Sequence, residues 1–205
     1  MKFNRILSAS IVITFAVALP VSAKVPNSFC MGISELRNDR YGQAINSFSQ
    51  AIHYNPQLSE AYFYRGVAHY LQKRYPEALA NFNQALTMGI GDPLLSPSLM
   101  NRAATLVKLG NHRQAIEDLK LMRQVISKNL YDYADKAIAQ IYLDLGDRKS
   151  AIATLEKLAA HYYREKQTNA YETTIDAIKR IRAGRNYGYH WGLHPNSYGY
   201  TSLCP

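Results

Sequence analysis

His190 and His194 stand four residues apart, the spacing at which one helix face offers a metal ion two imidazoles. Gly192 and Pro195 interrupt any helix there, and no carboxylate or cysteine completes a site, so the pair is read as structural or incidental. Glu35, His69 and Asp118 could serve in acid–base chemistry, but they fall on separate segments and share no motif. The chain has no glycine-rich phosphate loop, no Gly-x-Ser-x-Gly and no zinc-type cysteine spacing. With no catalytic constellation the sequence predicts no enzyme, no metal and no cofactor. A last group is aromatic: Tyr187, Tyr189, Trp191, Tyr198 and Tyr200 could stack on a sugar or a peptide, and could equally be packing residues.

The elements that position these groups follow from a repetition. Phe29 recurs as Phe63, Gly32 as Gly66, Arg40-Tyr41 as Arg74-Tyr75, Ala44 as Ala78, Phe48 as Phe82, and Gln50-Ala51 as Gln84-Ala85, each 34 residues on. In each copy an amphipathic run (Phe29 to Asn38; Tyr62 to Lys73) precedes a second (Tyr41 to Tyr54; Pro76 to Met88), with apolar residues three and four apart. Each copy is a helical hairpin. Gly32 and Gly66 on the first helix, and Ala44 and Ala78 on the second, mark a close crossing, which makes sense of the roughly 1 kcal/mol that a helical glycine costs. Pro76 opens a helix where its missing N–H loses nothing, and Pro56 helps stop the helix before it.

The motif Gly-(8)-Tyr-x-x-Ala-Ile/Leu-x-x-Phe-x-x-Ala-Ile/Leu, met at Gly32 to Ile52 and at Gly66 to Leu86, resembles the tetratricopeptide repeat. Two further units keep it less well. Ala103, Leu109, Gly110, Ala115, Ile116 and Leu119 recur 36 residues on as Ala139, Leu145, Gly146, Ala151, Ile152 and Leu155. There alanine replaces the crossing glycine, and His112 and Arg148 replace the tyrosine. The units are placed at 25–58, 59–92, 96–129 and 132–165. Within the longer connection Met88 to Pro97, Ser96-Pro97 reads as an N-cap and first-turn pair. A capping helix at 167–183, with Tyr171, Ile175, Ile178 and Ile181 along one stripe, ends at Gly184, and 185–205 form an aromatic, non-helical tail.

Residues 1–23 have a charged start at Lys2 and Arg5, an apolar run from Ile6 to Leu19 and a small-residue end at Val21-Ser22-Ala23. The run falls short of the roughly 20 residues of a bilayer span, so a cleaved secretory signal is expected, with no stable membrane insertion after cleavage. That places the chain in the periplasm or outside the cell. Formal net charge is +9. The cations are scattered except for Lys179, Arg180, Arg182 and Arg185, and nucleic acid is not an expected partner.

The resemblance implies an all-α, right-handed superhelical solenoid with its inner face lined by the first helix of each unit, a surface on which such proteins hold peptides or protein segments. On that pattern the inner face carries Phe29, Ile33 and Leu36, then Phe63, Val67 and Tyr70, then Met100, Ala104 and Val107, then Lys136 and Gln140. Many relatives grip a terminal carboxylate with Lys, Arg and Asn at these places. Apolar side chains here imply a preference for apolar or aromatic segments, unless neighbouring helices or the tail cover them.

The only two cysteines are Cys30, in the first helix, and Cys204. In an oxidising compartment they allow one internal pair, and two free thiols or a bond between chains are the alternatives. Four units span on the order of 40 Å, and the tail can stretch to roughly 60 Å, long enough to reach back across the array. The sequence is thus read as an exported interaction scaffold or assembly adaptor whose partner is a protein or peptide. The rival readings are a carbohydrate or cell-wall module using the tail aromatics, and an accessory subunit of an envelope enzyme.

Overall fold

Apolar residues three and four apart fold the chain into helices that pair in order, each packing on the next. The structure, a computed structural model, describes residues 27–125, 131–185, 187–189 and 204. The expected signal segment, His190, Trp191, His194, Tyr198 and Tyr200 lie outside them. Among the described residues the helices are α1 (Asn27–Arg37), α2 (Tyr41–Tyr54), α3 (Ser59–Leu71), α4 (Tyr75–Thr87), α5 (Leu95–Lys108), α6 (His112–Val125), α7 (Tyr131–Asp144), α8 (Arg148–Arg164) and α9 (Thr168–Arg182), with no strand. They form a right-handed solenoid of helical hairpins in which α1, α3, α5 and α7 are the first helices of successive units. None of the described helices is long and apolar enough to cross a membrane.

The hairpin turns explain part of the repeated sequence. Each needs a residue with positive φ: Asp39 (58°) and Lys73 (61°) in the first two units, Gly110 (79°) and Gly146 (77°) in the next two. The backbone N–H groups that follow return to the preceding helix, as where Arg74 N–H donates to the His69 carbonyl at 2.9 Å.

The interior of the first two units is aromatic. Tyr64, fully buried, stacks on Phe48 (ring centroids 5.9 Å) and meets Phe29 at 5.8 Å and Phe63 at 4.9 Å edge-on. Gly32 and Gly66 make room for the rings of Phe48 and Phe82, not for the alanines of the second helix. Aliphatic side chains of α5, α6 and α7 make the next stretch of core, and α8 and α9 close the far end around Leu155, Leu158, Tyr162, Ile178 and Ile181.

The connection between the second and third units differs from the expectation. Helix α5 starts at Leu95, one residue before Ser96, and its cap residue Leu94 offers no side-chain hydrogen bond. The reason is burial: Ile90 and Leu94 pack into the first core cluster, so an apolar anchor, not a hydroxyl cap, fixes where the helix begins.

Polar rungs hold successive units in register. Arg65 Nε donates to Asn81 Oδ1 (2.8 Å) and its Nη1 to Ser49 Oγ of the preceding unit (3.0 Å). One unit on, Arg102 donates from Nε and Nη2 to both oxygens of Asp118 (2.8 and 2.5 Å) and from Nη1 to Asn83 of the preceding unit (3.1 Å). Arg123 and Asp135, 3.3 Å apart, tie α6 to α7.

Candidate functional site

The residues expected along the inner face separate into two groups. Phe29, Ile33, Leu36, Phe63 and Val67 are buried in the first core cluster. The expectation that they line an open groove is therefore corrected: Tyr64 fills the gap between α1 and α3, and the rings interlock around it. Tyr70, Met100, Val107 and Lys136 remain half-buried. Tyr70 meets the Tyr75 ring edge-on at 5.3 Å. Met100 and Val107 lie against the second core cluster. Lys136 Nζ sits 3.2 Å from Asp132 Oδ2 and 5.8 Å from the Tyr162 ring centroid, so its charge is paired along α7 and leans on an aromatic face.

Past α9 the chain turns at Gly184 and lays Tyr187, Gly188 and Tyr189 against α7 and α9. Tyr187 packs on the last core cluster. Tyr189 meets the Tyr133 ring edge-on at 6.4 Å, and the two tail rings lie 5.7 Å apart. Burial raises the Tyr187 phenol above its ordinary pKa and the Asp132 carboxylate adds to it; Tyr189 moves the same way, with burial first and Tyr133 second. Between this segment and α9 a cleft of about 230 Å³ stays open, walled by Lys136, Thr173, Asp176, Ala177 and Arg180. At the other end of the array Cys204 packs on the first core cluster, bonded to Cys30 with Sγ atoms 2.16 Å apart. The pairing expected from the two cysteines is present.

The groups that might have served catalysis are placed apart. The Glu35 carboxylate accepts from Ser47 Oγ at 2.7 Å, Asp118 belongs to the Arg102 rung, and burial lowers the His69 pKa within α3. Among the described residues no three His, Cys, Asp or Glu side chains converge as metal ligands.

Two matches to the tetratricopeptide repeat, over residues 31–93 and 137–160, coincide with the first two hairpins and with the α7–α8 hairpin. Those two stretches match the repeat, and the array as a whole has the fold of a tetratricopeptide-repeat solenoid. Solved structures share its fold. MamA superposes with a TM-score of 0.60 at 19% identity, over 71% of this chain and 81% of that one. YrrB, described as a TPR protein with an unusual peptide-binding site, gives 0.57 at 14% identity, over 78% and 87%. The Yersinia enterocolitica type III secretion chaperone SycD, solved with a peptide of the translocator YopD, gives 0.52 at 15% identity, over 58% and 92%. No curated protein matches the chain.

In this solenoid the aromatic cluster of Tyr133, Tyr162, Tyr187 and Tyr189 around Asp132 went unrecognised in sequence, apart from its tail members. One part was legible: Asp132 and Lys136 are an i,i+4 pair. The rest joins α7, α8 and the tail, which no local pattern relates.

Proposed function

We propose that the protein is an exported interaction scaffold that holds an aromatic or apolar peptide segment along the inner face of its repeats, without catalysis of its own. The observation that carries this reading is the chain's own tail: an irregular tyrosine-bearing segment rests on α7 and α9, and its two rings are half-buried there. The peptide bound to SycD, and the peptide-binding site described for YrrB, support the use of this fold for peptide ligands. The half-open residues Tyr70, Met100, Val107 and Lys136 extend the surface across the second, third and fourth units. The signal-like pattern of residues 1–23 and a bonded cysteine pair support export. Tail tyrosines turned against helices favour a peptide ligand over a sugar, which needs open ring faces.

A photo-crosslinking residue placed at Val107, and separately at the outward-facing Tyr163, tests the reading in the cells that make the protein. Adducts to another polypeptide from position 107 and not from 163 are expected. The reverse pattern would move the interface to the outer face. Amino-terminal sequencing of the mature chain should begin at Lys24, and a chain that retains Met1 would remove the export claim.

A further inference from the structure

We infer that the cleft between α7 and α9 is a docking site for a Tyr-Gly-Tyr segment, filled in cis by Tyr187-Gly188-Tyr189 and open to a partner's segment by exchange. The inference rests on the inner-face reading above and specifies its ligand.

Three observations lead to it. The walls are matched to two phenols: an aromatic edge from Tyr133 for one ring, and the last core cluster with the Asp132 carboxylate for the other. Lys136 Nζ, 3.2 Å from Asp132 Oδ2, holds that carboxylate in place beside the tail rings. Glycine suits the position between the rings, because Gly188 adopts φ of 71°, where an L side chain is strained.

The cis occupant also fits incompletely. About 230 Å³ remains between it and α9, bounded by Thr173, Asp176 and Arg180, so a longer segment can enter and gain contacts that the tail does not make. The occupant is irregular rather than helical, with Tyr187 resting on the last core cluster. Because it is tethered just beyond Gly184, it competes at an effective concentration in the millimolar range, and this hides the site from weak ligands. The chain carries a second copy of the same chemistry at Tyr198-Gly199-Tyr200.

The test is fluorescence polarisation with a labelled peptide of residues 185–191, titrated with the full chain and with its Tyr187→Ser/Tyr189→Ser variant. The variant should bind at least about tenfold more tightly than the parent, since the tethered competitor is gone. Adding Lys136→Glu should abolish the gain, as should a peptide with both tyrosines changed to serine. If the double variant loses its helical circular dichroism, Tyr189→Ser alone replaces it, with a smaller gain expected. Equal binding by parent and variant, tight or absent, overturns the inference. Crosslinks from position 107 that persist alongside such a result would leave the broader inner-face reading standing, and their loss would remove both.

Discussion

The ring of Phe48 occupies the space that a side chain at position 32 would need: a Cβ built on Gly32 would stand 2.6 Å from Cε1 and 2.8 Å from Cδ1 of that ring. Gly66 faces Phe82 in the same way at 2.9 Å, with Asn81 Cβ at 3.1 Å. Alanine at either place gains about 1 kcal/mol of helix propensity and loses about 1 to 3 kcal/mol to overpacking. Gly32→Ala, with the closer contact, should show a net loss of about 1 to 2 kcal/mol in urea unfolding. An unchanged midpoint would mean that the ring moves aside freely.

The two arginine rungs should not be equivalent. Arg102→Ala strands Asp118, a nearly buried carboxylate, and should cost about 2 to 4 kcal/mol. Arg65→Ala leaves neutral acceptors on Asn81 and Ser49 and should cost about 1 to 2 kcal/mol. Thermal melts of the two variants side by side decide the order.

Lys73 holds a left-handed backbone conformation at the turn where the third and fourth units use glycine. Lys73→Gly removes strain of about 1 kcal/mol and should raise the melting temperature. Gly110→Ala should lower it by a similar energy.

Alkaline pH should weaken the fold from within. Burial, with Tyr75 and Tyr133 nearby, raises the Tyr70 phenol to about 12, and burial raises Tyr162, Tyr187 and Tyr189 as well. Between the ordinary tyrosine value near 10 and these raised values the unfolded chain releases protons that the folded chain keeps. Stability is therefore full below pH 10 and falls as pH rises through 12. Tyrosinate absorbance should lag the ordinary titration until unfolding, and Tyr70→Phe should flatten the decline.

Much of this architecture was legible because each hairpin repeats the same small set of decisions. Gly32 with Phe48, Gly66 with Phe82, and the turn residues before Tyr41 and Tyr75 recur at fixed spacing, and Gly110 and Gly146 mark the same turn in the later units. The start of α5 was misread because a hydroxyl followed by proline is a local signal, whereas the burial of Leu94 is a tertiary one. The pattern also identified which side of α1 and α3 faces inward without saying how much of it stays open. That depends on Tyr64, whose ring lies at contact distance from Phe29, Phe48 and Phe63. The cluster around Asp132 draws on α7, α8 and the tail, and no single stretch of sequence carries it.

A solenoid of stacked hairpins behaves as a spring when pulled from its ends, losing units one after another because each is held only by its neighbours. The bond between Cys30 and Cys204 encloses nearly all of this one within a covalent loop of sequence separation 174. Tension applied through the two termini then passes from α1 into the tail's end through sulfur, and the repeats carry none of it. Single-molecule pulling of the oxidised chain should show no unfolding steps from within that loop, and a dithiol reductant should release a contour of about 600 Å. Oxidised, the protein is a short, inextensible link; reduced, it becomes a long and yielding one.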